Sequence, residues 1–215
     1  MSVSLFKKLR ASEEAVALIE FAYMLPILLI LGLGGVELVN IAMVNTRLSQ
    51  MAIALSDNAS RVKANVGGAI TIREADINDV FYAVETTGQT IRFKQHGRAI
   101  LSSLETNASN GQWVRWQRCY GDLGYTPVYG RVDDGKTGTS YAGMGPSDAR
   151  VTVEPDEAIM YVEMAYDYQP MWFSGFGPIR MVKNAAFYVR DTRDLSKGVS
   201  NPAPAVPTSK IKSCS

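Results

Sequence analysis

The sequence predicts an α+β protein: a long N-terminal transmembrane helix followed by a small domain with an antiparallel sheet of about four strands and one or two helices. Three observations carry that expectation. Apolar residues crowd into the first 55 of the 215 positions. The stretch after the most apolar run keeps helical spacing. Four later segments have the composition and punctuation of strands.

The apolar run is Ala15 to Val36, AVALIEFAYMLPILLILGLGGV. Glu20 is its only charge, and Phe21 to Val36 is uncharged throughout. A helix needs about 20 apolar residues to cross a bilayer. Pro26 is compatible with a span, because neighbouring groups re-satisfy the carbonyl it frees. Two other readings compete. A cleaved secretory signal has a shorter apolar core followed by a small-residue cleavage site, whereas this run is long and continues as helix. A buried core helix would need more apolar sequence downstream to wrap it. Lys7, Lys8 and Arg10 precede the span, and the segment after it has no Lys or Arg until Arg47. Basic flanks stay cytoplasmic, which predicts a single-pass protein with its N-terminus inside and its C-terminal domain outside.

Beyond Gly32-Leu33-Gly34-Gly35, the residues Val36, Val39, Ile41, Met43, Val44, Leu48, Met51, Ala52 and Leu55 recur at roughly helical intervals. A second helical stretch, about Val36 to Val62, would join the span in one helix of up to about 50 residues, with the glycines as a place for a kink. The alternative is a short span followed by a separate amphipathic helix on the membrane surface.

In the remainder, Thr71-Ile72-Arg73-Glu74 has the spacing of a capping box. It would open a helix, about Glu74 to Thr86, with Ile77, Val80, Phe81 and Val84 on one face. The strand-like segments are Arg98–Thr106, Gln112–Tyr120, Ala158–Trp172 and Ile179–Arg190. The first pair flanks Asn107–Gly111 and the second flanks Phe173–Pro178, which suits two hairpins with helix over one face. Trp113 and Trp116 are three apart and point to opposite faces of a regular strand. Asp122 to Pro155 is rich in Gly, Asp, Ser and Pro and reads as a long loop, either functional or loosely ordered. Within it Gly135-Lys136-Thr137-Gly138-Thr139 lacks the phosphate-loop signature and reads as plain flexible loop. The chain thus divides into a leader-like cytoplasmic segment (1–15), a transmembrane and extended helix (16–63), an extracytoplasmic α+β domain (64–194) and a Pro-containing tail (195–215).

A net charge of +1 gives no field that would attract nucleic acid. His96 is the sole histidine, and no nucleophile-base set or metal-ligand cluster stands out. The sequence therefore points away from an enzyme and implies neither cofactor nor metal. Glu154, Asp156 and Glu157 make an acidic turn, solvated by default, with Ca²⁺ binding as the alternative. The two cysteines, Cys119 and Cys214, would pair in an oxidising compartment and pin the tail to the second strand; free thiols or bridges between molecules are the alternatives.

The segment SEEAVALIEFAYMLPILLILGLGGVELVN resembles the N-terminus of TadE-like proteins, pseudopilins of the tight-adherence (Flp) pilus system, a relative of type IV pili. The resemblance rests on Ala17, Ile19-Glu20-Phe21-Ala22, Leu25-Pro26 and Glu37, and more loosely on GQWVRWQRCYG at Gly111–Gly121. It implies a leader cut between Ala15 and Val16 by a prepilin peptidase, with Ala15 standing where pilin leaders end in Gly. It implies helix packing and charge pairing through Glu20, Phe21, Pro26 and Glu37, with Glu20 meeting the new α-amino group of a neighbouring subunit inside the bilayer; the residues alone leave the alternative that Glu20, about one and a half turns into the span, snorkels to the cytoplasmic interface. It further implies a minor pilin or pseudopilin in the inner membrane, whose partners are pilin-like subunits and the assembly machinery, or else a scaffold of that machinery that never enters a filament.

Overall fold

A computed structural model describes residues 13–172, 177–190 and 193–214, with side chains from residue 16 onward. The chain falls into two compact units, Met1–Met43 with Pro170–Gly177, and Val44–Gln169 with Pro178–Ser215. Most of the leader-like segment, and residues 173–176 of the second connection, lie outside the described residues.

Helix α1 runs unbroken over Glu13–Arg61, through Pro26 and the glycines. The expected joining of span and second helix is therefore seen, without a separate surface helix. In the first unit, every residue of α1 from 16 to 33 is exposed. In the second, Val44, Leu48, Met51, Ala52, Leu55 and Ala59 are buried at intervals of three or four, the stripe that an amphipathic helix lays on a core. That division differs from the sequence-based segments, because the C-terminal part of α1 and the tail share a compact unit with the sheet.

In the second unit a short hairpin, β1 (Ala64–Val66) and β2 (Ala69–Arg73), turns at Gly67-Gly68, whose φ angles of +60° and +90° are those a two-residue turn needs. Helix α2 (Glu74–Gly88) follows, burying Ile77, Val80, Phe81 and Val84 as expected. Its capping box lies elsewhere than Thr71–Glu74. Arg73 is the N-cap, and its backbone N–H donates to Asp76 Oδ2 at 3.0 Å. Thr71 is claimed by β2, where it pairs with Ala64 and its hydroxyl meets that of Ser200.

The main sheet has the order β4-β3-β5-β6, all antiparallel, from β3 (Gly97–Thr106), β4 (Gln112–Tyr120), β5 (Ala158–Asp167) and β6 (Arg180–Tyr188). Both hairpins are as expected, though β5 ends before Trp172. The central strands β3 and β5 are buried almost throughout, so both faces are covered. One face meets helix: the Phe81 and Tyr120 rings stack at 6.0 Å, and the Ser56 hydroxyl donates to the Met160 carbonyl at 2.6 Å.

The other face is covered by residues 122–155. This segment is fixed rather than loose. Met144 and Val153 enter a core cluster with Leu104, Val114, Ile159 and Tyr161. Polar side chains on the sheet hold its backbone. Gln117 Nε2 donates to the Gly130 carbonyl at 2.8 Å, and Asn107 Nδ2 donates to the carbonyls of Gly135 and Gly138 at 2.7 Å each. The Gly135–Thr139 stretch is therefore tethered, against the flexible reading. Glu163 accepts N–H groups from Val128 and Tyr129.

A bulge corrects the reading of the tryptophans. Ser103 pairs with Trp116 but Leu104 pairs with Val114, leaving Arg115 as the extra residue on β4. Trp113 pairs with Glu105, two residues from Ser103. Both tryptophans therefore lie on the same face of the sheet, because the inserted residue reverses the alternation between them.

The tail returns along the domain. Strand β7 (Val199–Ser200) pairs parallel to β2, and the Cys119 N–H donates to the Lys212 carbonyl at 2.6 Å. The tail thereby lies against β4, an edge strand that would otherwise offer unpaired backbone.

Candidate functional site

The residues singled out on the anchor all lie on α1. Ala15 and Val16 occupy its first described turn, Val16 being 49% exposed; the side chain of Ala15 and residues 1–12 lie outside the described residues. Glu20 is exposed between Ile19 and Phe21, at 57% and 58% exposure, and has no hydrogen-bond or ion-pair partner among the described residues. Pro26 sits inside the helix without ending it. It has no N–H for the Ala22 carbonyl one turn back, a defect that a span can absorb.

α1 is the one helix among the described residues that is long and apolar enough to cross a membrane, and none of its most apolar window is buried. The chain is accordingly a single-pass membrane protein by the length and composition of this helix. In that setting a bare carboxylate is costly and needs a partner. Glu20 and Glu37 meet this need differently. Glu20 is open to the surroundings of the helix. Glu37 is completely buried, and its carboxylate accepts the backbone N–H of Met171 at 3.2 and 3.3 Å and that of Trp172 at 3.3 Å. Glu37 is therefore engaged within its own chain, and Glu20 is the carboxylate left for another.

The structure brings Cys119 and Cys214 together as a disulfide with a Cα–Cα distance of 5.0 Å. The bridge ties the tail to β4, as the pairing of the two cysteines implied. Among the described residues no group of three His, Cys, Asp or Glu side chains is placed to hold a metal ion. Glu154, Asp156 and Glu157 stand on an exposed turn. His96 is half-buried at the end of a four-residue helix, Phe93–His96.

Buried carboxylates outside the anchor all have structural partners. Glu74 pairs with Arg118, whose Nε lies 3.0 Å from Glu74 Oε2. Glu105 accepts from the Ser103 hydroxyl at 2.7 Å and pairs with Arg115 at 3.2 Å. Burial still pushes the Glu105 carboxyl above its ordinary value, against those two partners. Burial does the same to Glu163, against the N–H groups of Val128 and Tyr129.

No protein-family model, no curated protein and no solved structure matches the chain. The candidate site therefore rests on the helix itself: an apolar surface, exposed from 16 to 33, that carries the open carboxylate of Glu20. Sequence reasoning missed Met171 and Trp172 as the groups that satisfy Glu37. Their stretch from Gln169 to Ile179 carries no charged residue, which is unusual for a turn between strands and was the available signal.

Proposed function

We propose that this chain is a TadE-like minor pilin or pseudopilin that takes part in assembling a tight-adherence (Flp type IV) pilus. Its N-terminus faces the cytoplasm, α1 crosses the inner membrane, and the C-terminal domain is periplasmic. Its work is assembly rather than turnover. The observation that carries this reading is Glu20, a carboxylate with no partner among the described residues, on a helix whose residues are all exposed from 16 to 33. In hydrocarbon such a group is stable only beside a donor or cation. The α-amino group of a processed neighbouring helix has the right charge, and pairing cancels two costs together.

The continuous α1 supports this further. From Val44 onward it belongs to the core of the second unit, while among the described residues those from 16 to 33 are all exposed. A lateral partner for the first part has to come from elsewhere. The second reading, an inner-membrane scaffold that never enters a filament, draws support from the contact of Glu37 with the segment after β5, which engages the anchor within its own unit.

A photo-crosslinker at Met24, one turn from Glu20 and 60% exposed, tests the proposal in cells. Crosslinks to pilin-like subunits, with a mature N-terminus at Val16 and recovery in sheared pili, are expected. Crosslinks to assembly components with no recovery in pili would favour the scaffold. A chain that still begins at Met1 or Ser2 and crosslinks to neither class would overturn the pilin reading.

A further inference from the structure

Glu37 is buried although its neighbours on the helix are not: Val36 is 51% and Leu38 56% exposed. What covers it is the backbone at Met171 and Trp172, whose N–H groups point into the carboxylate. The side chains of these two residues are left outside, Met171 at 59% and Trp172 at 69% exposure. Trp172 borders an apolar hollow of about 500 Å³ shared with Ile30, Leu33, Gly34, Gly35 and Leu38. The two glycines leave it open, since a Cβ built on either would meet nothing within 4 Å.

Depth follows from the helix. Val16 to Val36 rises about 30 Å, the thickness of the hydrocarbon core. Glu37 therefore falls where hydrocarbon gives way to headgroups. Trp is enriched at that level because its ring suits the acyl boundary and its N–H reaches headgroup oxygens. Met supplies a flexible apolar neighbour.

We propose that the segment following β5 is a second membrane contact. Met171 and Trp172 insert into the outer interfacial layer of the bilayer that α1 spans, at a depth fixed by the hydrogen bonds to Glu37. The occupant of this surface is lipid. Three features of the chain favour it: the exposed pair is continuous with the exposed apolar helix of the same unit, its stretch is uncharged, and the neighbouring Glu37 carboxylate already accepts hydrogen bonds from its own chain. The inference rests on reading α1 as a membrane span.

The test uses the full chain in phosphatidylcholine vesicles, with lipids brominated either near the headgroup or near the chain end. Trp113 and Trp116 belong to the other unit and serve as a background. Shallow bromolipid should quench part of the wild-type fluorescence more than deep bromolipid does. Trp172→Phe should lose most of that quenched component. Glu37→Ala, which removes the acceptor, should reduce the difference between shallow and deep quenching while Trp172 is still present. Equal quenching of wild type and Trp172→Phe overturns the inference. So does an unquenched Trp172 that becomes accessible only on dilution of protein into lipid, which would make the occupant a second copy. Alkaline carbonate extraction separates the two levels: an unquenched Trp172 in a carbonate-resistant protein sinks this inference alone, whereas extraction of the wild type sinks the span and the inference with it.

Discussion

The carboxylate of Glu163, on the central strand β5, accepts the backbone N–H of Val128, 35 positions away in the chain, at 2.9 Å. A second N–H, from Tyr129, reaches the other oxygen at 3.3 Å. Glu163 is completely buried, and its charge is felt by the surrounding Tyr125, Tyr141 and Tyr161 hydroxyls, whose pKa values burial already raises, in the first two to about 12. The covering segment is thus pinned to the sheet by a buried carboxyl group whose hydrogen-bond donors are backbone amides.

That arrangement has a signed pH dependence. The folded-state pKa of Glu163 is raised above its ordinary 4.5. The folded state therefore holds the proton more tightly than the unfolded chain, and its contribution to stability falls as pH rises through the window from 4.5 up to the raised value. Glu163→Gln keeps an acceptor for the shorter bond and removes the titration. Relative to that variant, wild type should lose stability across the window, with a slope no steeper than about 1.4 kcal/mol per pH unit for one proton. Relative to Glu163→Gln, Glu163→Ala leaves the Val128 and Tyr129 N–H groups without this acceptor and should cost about 1 kcal/mol at all pH values. Chemical denaturation of the detergent-solubilised full chain at several pH values measures both; a pH-independent gap between wild type and Glu163→Gln would refute the account.

Glu74 and Arg118 make a different kind of contact. Their side chains are 5% and 17% exposed, and Arg118 also donates to the Gln117 carbonyl at 2.8 Å. Removing the cation alone leaves a carboxylate buried at the start of α2. Arg118→Ala should therefore destabilise by about 3 kcal/mol, whereas replacing both partners with leucine should cost clearly less than that single change. Denaturant midpoints of the two variants decide between this and a simple loss of packing, which would make the double change the worse one.

How much of this could be read from the sequence depends on what set each feature. The buried stripe Val44, Leu48, Leu55 and the face Ile77, Val80, Phe81, Val84 follow from local periodicity, and the structure places them as expected. The two hairpins follow from turn composition. The capping box was displaced because Thr71 satisfies two demands at once, and pairing in β2 with a hydroxyl bond to Ser200, 129 positions away, outcompetes the local motif. The same-face arrangement of Trp113 and Trp116 depends on Arg115 bulging out of β4, which no alternation pattern announces. Residues 122–155 look loose by composition, yet their order is imposed by Asn107, Gln117 and Glu163 on distant strands. Gly67-Gly68, by contrast, is a hairpin signal that local sequence carries. On the anchor, Glu37 was legible as an unusual charge, but its partners were not, because backbone N–H groups carry no residue signature.

The disulfide closes a separation of 95 residues, worth about 4 to 5 kcal/mol in the chain-entropy model and commonly less in practice. Reduction should lower the denaturant midpoint and release the tail. Because the Cys119 N–H donates to the Lys212 carbonyl, release also uncovers part of the β4 edge. Limited proteolysis should cut between Leu195 and Lys212 after reduction and not before. Equal cleavage rates in the two states would mean that β7 and the Arg115 contact to Ser196 hold the tail without the bridge.

Leu28 and Leu48 lie on the same helix in two different surroundings. Leu48 is fully buried in the core of the second unit, and Leu28 is 60% exposed on the uncovered part of α1. Deleting the Leu48 side chain leaves a cavity, so Leu48→Ala should cost about 2 to 5 kcal/mol of domain stability. Leu28→Ala removes a side chain that its own chain does not cover, and domain unfolding in detergent should change by less than about 0.5 kcal/mol. Its effect should appear instead in association with neighbouring helices, read as weakened crosslinking from Met24. If Leu28→Ala destabilised the domain as much as Leu48→Ala, the anchor would be part of the folding unit, and its exposed surface would no longer be available to a partner in the way the open Glu20 requires.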